Sequence, residues 1–105
     1  NVRDHEYPEM RRNITAFVLM NVAAKKENRV IEKLFALDEV REVHSVHGDV
    51  DILVKIVLTR DLVSSDAEII GSFVQNQVRQ IPGIISTQTL IPGLSKMKNN
   101  GTGGR

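Results

Sequence analysis

Gly48, Asp49 and Asp51 are the residues whose types and spacing offer chemistry. They lie in the run His44-Ser45-Val46-His47-Gly48-Asp49-Val50-Asp51-Ile52-Leu53-Val54-Lys55. Two apolar strands flank a glycine-aspartate step, which reads as a two-residue hairpin loop with glycine where positive φ is required. Asp51 follows two residues after Asp49, on the same face of the outgoing strand. A carboxylate beside exposed backbone N–H groups can hold a zwitterion, with the ammonium on the aspartate and the carboxylate on the amides. Aspartates also commonly tie down the turn they belong to, and the residues alone leave both roles open.

The rest of the chain offers less. His44 and His47 are three apart, so on a strand they point to opposite faces and cannot share a metal; His5 sits in the N-terminal stretch. No metal and no cofactor is therefore expected. Zero cysteines exclude a disulfide framework, thiol catalysis and thiolate metal sites. No serine, histidine and acid come together by local spacing, and no glycine-rich phosphate loop follows a strand. Ser86-Thr87-Gln88-Thr89 is a polar tetrad between two apolar pairs, in which Thr87 and Thr89 share one face. It fits an edge strand chosen for β-propensity, or the wall of a polar pocket.

The elements that must position these residues alternate along a chain of 105 residues, one domain's worth. The 41% hydrophobic content argues against disorder. Ile14–Val22 is a strand, Glu27–Leu37 an amphipathic helix, and Val40–His47 with Val50–Leu58 the two arms of the hairpin. Ser65-Asp66-Ala67-Glu68 has the Ser-x-x-Glu pattern of a capping box, opening a helix through Gln80 with the stripe Ile69, Ile70, Phe73, Val74, Gln77, Val78 and Ile81, which Pro82-Gly83 ends. Ile84–Pro92 is the last strand. The order β-α-β-β-α-β gives the α+β, ferredoxin-like fold: a four-stranded antiparallel sheet with two helices on one face.

The other face needs covering. Phe17 and Leu19 on the first strand, and Leu53 and Val57 on the third, are apolar on the side away from Ala16, Val18, Val54 and Ile56. A sheet wetted on one side alternates more cleanly, so the second face is expected to form a two-fold dimer. Residues 1–13 read as a flexible arm, 14–94 as the domain and 95–105 as a disordered glycine-containing tail. Between Ile14 and Pro92 eight Lys and Arg face ten Asp and Glu, so the folded part carries −2 although the whole chain carries +1. That is a poor match for a phosphate backbone, and direct DNA binding is not expected. No apolar run reaches the ~20 residues of a membrane span, and with no signal peptide in view the cytoplasm is the expected setting.

Three motifs in order carry a resemblance: Gly48-Asp49-Val50-Asp51-Ile52-Leu53-Val54-Lys55, then Ile81-Pro82-Gly83-Ile84, then Thr87-Gln88-Thr89. On a βαββαβ frame they resemble the effector domain of the Lrp/AsnC regulators, also called the RAM domain, over about Ile14–Leu94. The resemblance implies a domain that is no enzyme, dimerises through its sheet and assembles dimers into rings, commonly octamers. It implies an amino-acid-like ligand in clefts between dimers, edged by Gly48, Asp49 and Asp51, with Thr87 and Thr89 as further candidates. Regulators of this family carry a helix-turn-helix before the module. Here thirteen mostly polar residues precede the first strand, so the chain is either a stand-alone effector domain, able to co-assemble with full-length regulators, or a piece of a longer one. An ACT-like amino-acid-binding module and a small dimeric α+β-barrel enzyme share the element order and stand as alternatives.

Overall fold

The computed structural model describes residues 13–98. The arm expected over residues 1–13 lies outside them except for Asn13, as does the expected tail from residue 99 on. Four strands, β1 (Asn13–Val22), β2 (Val40–Ser45), β3 (Ile52–Thr59) and β4 (Ile84–Leu90), form one antiparallel sheet in the order β2-β3-β1-β4. With the helices α1 (Glu27–Phe35) and α2 (Asp66–Phe73) this is the expected ferredoxin-like α+β fold.

The alternation of β1 and β3 decides which side is closed. Ile14, Ala16, Val18 and Met20 are buried, as are Ile52, Val54, Ile56 and Leu58, and they share one core with Val30, Leu34, Ile70, Val74 and Val78 of the helices. The register sets Val18 against Val54 and Met20 against Ile52, so the two strands bury matched rows. Each such side chain contributes about 1.5–3 kcal/mol by leaving water. The intervening Phe17, Leu19, Leu53 and Val57 are half-buried on the opposite, open face. Pairing adds Glu42 and His44 of β2, and Gln88 and Leu90 of β4, to that open face.

Helix α1 buries Val30 and Leu34, one turn apart, and stops before the expected Leu37. Leu37 N–H reaches only to Leu34, a tightened last turn, and Phe35 remains outside the core. Helix α2 opens on the expected capping box. Ser65 Oγ accepts from Glu68 N–H at 3.1 Å, while Glu68 Oε1 accepts from Ser65 N–H at 2.8 Å. The α-helix ends at Phe73 and continues as a π-helical turn over Val74–Val78, closed by Arg79 N–H on the Val74 carbonyl. That wider turn leaves Gln77, expected in the apolar stripe, exposed. The last strand stops at Leu90, two residues before the expected Pro92, because proline has no N–H for the ladder.

Candidate functional site

The expected two-residue hairpin is a six-residue connection. Strand β2 ends at Ser45 and β3 begins at Ile52, with Ser45 paired to Ile52. Inside it Val46 N–H donates to the Asp51 carbonyl at 2.9 Å. Asp51 therefore precedes the strand rather than lying on it. Its backbone N–H donates to the Met20 carbonyl at 3.0 Å, and its Oδ2 accepts from Val22 N–H at 3.0 Å. One residue thus binds the loop to the end of β1 twice, through backbone and side chain. A part-buried carboxylate accepting a backbone N–H contributes about 1.5–3 kcal/mol.

Asp49 is placed differently. It is exposed, and its carboxylate has no hydrogen bond or ion pair among the described residues. The N–H groups of Gly48, Asp49 and Val50 likewise donate to nothing among those residues. Gly48 has φ 152°, a conformation L side chains rarely adopt, and a Cβ there would meet nothing within 4 Å. The loop therefore presents bare backbone donors beside an uncommitted carboxylate. These are the two kinds of group a zwitterion requires, on a loop tied from behind by Asp51.

Two more loops meet the same end of the sheet. Ala23 N–H, just past β1, donates to the Gly83 carbonyl at 2.7 Å, joining the β1–α1 turn to the turn before β4. Gly83 has φ 103°, and a Cβ there would stand 2.9 Å from Lys26 Cβ and 3.1 Å from Val30 Cγ2. The Ile81-Pro82-Gly83-Ile84 junction is thus a point of backbone contact with the start of α1. Ser45 Oγ donates to Glu27 Oε2, adding a link from β2 to the same helix.

Thr87 and Thr89 do not join the loop within one protomer. They are half-buried on the closed side of β4, opposite Met20 and Val18. Since β1 lies between β3 and β4, Thr87 is two strand spacings, roughly 10 Å, from Ile52. Their strand is an edge strand, the plainer of the two expectations for the polar tetrad. His44 lies on the open face with Nε2 3.1 Å from Glu42 Oε1, whereas His47 lies beyond the end of β2. That hydrogen bond, and then the charge of Lys55, holds the Glu42 carboxyl below its ordinary range. No group of three potential metal ligands occurs among the described residues. No described helix is long and apolar enough to cross a membrane.

A cleft of about 540 Å³ lies at the opposite end of the sheet, lined by Asp38, Arg41, Thr59, Ser72, Phe73 and Asn76 among others. None of the expected site residues reaches it. It opens where β2 begins and β3 ends, and the sequence reading gave no sign of it because its walls come from three distant segments.

The sequence model of the Lrp/AsnC ligand binding domain matches residues 15–100. The chain belongs to this family. An Lrp/AsnC relative, the HTH-type transcriptional regulator FL11 of Pyrococcus furiosus, is 35% identical over 79 residues, covering 75% of this chain and 48% of that protein. The chain thus spans about half the length of the curated regulators it matches. The crystal structure of FFRP-DM1 is 37% identical with a TM-score of 0.63, covering 75% of this chain and 97% of that one. A transcriptional regulator from Neisseria meningitidis, solved as an L-Met complex, shares the Lrp/AsnC fold at 17% identity and a TM-score of 0.68, over 87% of this chain and 56% of that one. The family match displaces the ACT-like alternative. The Pyrococcus relative is a transcriptional regulator.

Proposed function

We propose that this domain senses a small zwitterion, an amino acid, at the Gly48–Val50 edge of the hairpin loop, in a cleft that a neighbouring subunit completes. The observation that carries the reading is the uncommitted Asp49 carboxylate beside three undonated backbone N–H groups. Gly48 permits close approach of a ligand to that backbone. Asp51 acts from behind by holding the loop on β1. Thr87 and Thr89 enter only through a subunit packed near the β4 edge. The L-Met held by the Neisseria regulator is a ligand of this chemical class.

The loop is open to solvent in one protomer, so a second copy must enclose the ligand's side chain. Two-fold pairing through Phe17, Leu19, Leu53 and Val57 on the open face supplies the basic dimer, and rings of dimers place hairpin loops at dimer boundaries. With −2 on its folded part the domain acts as a sensor in the cytoplasm, reaching DNA through the regulators it joins.

Calorimetry with the twenty amino acids, with native mass spectrometry for assembly, tests this. One or a few should bind, and Asp49→Ala should weaken them tenfold to a hundredfold. That is the weight of one charge-assisted bond, about 1.5–3 kcal/mol. Unchanged affinity in Asp49→Ala removes the carboxylate from the site.

A further inference from the structure

Helix α2 widens where it borders the cleft at the far end of the sheet. Asn76 and Gln77, both in the π-helical turn Val74–Val78, line the 540 Å³ space. Turns of this kind occur frequently at functional sites. The volume falls in the ~300–1,000 Å³ range of small-molecule pockets. Its lining divides by chemistry. Leu58 is buried while Ile69 and Phe73 are half-buried, which gives the cleft an apolar floor. Ser72, Asn76 and Gln77 add a hydroxyl and two amides along the helix.

Charge gathers on the wall made by the turn between α1 and β2. Asp38, Glu39 and Arg41 all line the cleft, yet they do not neutralise one another. Arg41 Nη1 donates to the main-chain carbonyl of Asp38, not to a carboxylate. Among the described residues the Asp38 and Glu39 side chains accept no hydrogen bond and join no ion pair, and Arg41 joins no ion pair either. The other donors of the guanidinium fork stay free. Both signs of charge thus stand uncommitted on one wall of one protomer. The wall from α2 lies on the helix side of the sheet, so pairing through the open face leaves the cleft accessible.

We propose that this cleft is a second ligand site, complete within one protomer, for an α-amino acid with a large apolar side chain. The ligand's carboxylate takes the fork of Arg41, and its ammonium lies against Asp38 and Glu39. Its side chain covers Ile69 and Phe73. The site does not depend on the hairpin reading, since it shares no residue with Gly48–Asp51 and needs no second copy.

NMR titration of the ¹⁵N-enriched full chain, with L-phenylalanine as the probe, tests it. The Asp49→Ala chain is titrated beside the parent, so that the hairpin carboxylate is removed from one of the two. In both, the amides of Arg41, Thr59, Ser72 and Asn76 should shift together and saturate on one isotherm. Phenethylamine, which lacks the carboxylate, and 3-phenylpropionate, which lacks the ammonium, should each bind at least tenfold more weakly. Tenfold is the low end for one lost charge-assisted contact. Arg41→Gln should leave amides away from the cleft unmoved, weaken L-phenylalanine at least tenfold and leave phenethylamine unchanged. Cleft shifts without hairpin shifts in the parent would uphold this site while the hairpin reading falls. Equal affinity for all three compounds overturns the site, because the charged wall then recognises nothing. Shifts confined to the hairpin loop, or no cleft shift at millimolar probe, overturn it as well.

Discussion

The two ends of the sheet are built on opposite plans. At the hairpin end the loops are tied over long range: Asp51 holds Met20 through its backbone and Val22 through its side chain, and the Gly83 carbonyl holds Ala23 while Gly83 lies against the Lys26 and Val30 side chains. The Gly48–Val50 loop there presents backbone donors and the Asp49 carboxylate. At the end where α2 begins, order comes from side chains folding back on their own segment. Asp61 accepts from Val63 and Ser64 N–H, Ser65 and Glu68 cap the helix, and Arg60 pairs with Asp66 through two bonds of 3.1 and 2.9 Å. A 540 Å³ cleft opens beside it, and Leu62 and Val63 stand fully in solvent. A ligand site made of main-chain atoms needs a rigid frame, and the long-range ties at the hairpin end give it one. At the other end, local ties keep a helix entry in shape.

The largest effect should come from breaking the tightest long-range contact. Gly83→Ala must place a Cβ 2.9 Å from Lys26 Cβ at φ 103°. Strain at such a φ costs on the order of 1–3 kcal/mol and forced overlap in a packed place adds a similar amount, so a loss of about 3 kcal/mol is expected. Thermal melting should fall by more than 10 °C, at roughly 4–8 °C per kcal/mol for a domain of this size. A change within 3 °C would mean that the α1 start moves freely relative to the β4 turn.

Next comes the pair of aspartates, which sharpens the comparison inside one loop. Asp51→Ala leaves the part-buried Val22 N–H without its acceptor and should cost about 1–3 kcal/mol in melting experiments. Asp49→Ala should leave stability within about 0.5 kcal/mol, as exposed positions do, while ligand affinity drops. Equal losses of stability in both would erase the division between frame and contact.

This division was only half legible in the sequence. The alternation Ile14, Ala16, Val18, Met20 against Phe17 and Leu19 is a local signal, and so is Ser65-x-x-Glu68; both led to the right strand faces and the right helix start. Gly48-Asp49 is local too, but the loop's length is decided by Val22, twenty-nine residues from Asp51, whose N–H recruits the Asp51 carboxylate. No turn rule contains that partner. The π-helical turn escaped for a related reason. Gln77 keeps the apolar period on paper, yet it is exposed within the π-helical turn that the Arg79 N–H closes on the Val74 carbonyl. Proline at position 92 was visible, but its effect on strand length depended on β4 being an edge with β1 as its single partner.

At the helix-entry end, Ser65→Ala removes one half of the capping box and should cost about 1 kcal/mol, most of it in the first turn of α2. Hydrogen exchange is the direct measurement. Glu68 N–H should lose protection while Val22 N–H, tied to Asp51, keeps its own. Loss of protection at both would show that the two ends are coupled.

The smallest effect is a titration. The N–H of Ser64, and then of Val63, stabilises the Asp61 carboxylate and lowers its pKa from the ordinary value of 3.8. A carboxyl with a depressed folded pKa contributes to stability above its unfolded pKa and loses that contribution as pH falls through the folded one. The window therefore lies below about pH 3.8, not in the neutral range. Because Asp61 is exposed, solvent screening keeps the consequence local: the turn carrying Leu62 and Val63 should loosen while the sheet stays folded. Amide chemical shifts of Val63 and Ser64, followed by NMR from pH 6 downward, should move together with one midpoint below 3.8, and Asp61→Asn should abolish that movement. A midpoint at or above 3.8 would show that the two N–H bonds do not hold this turn in solution.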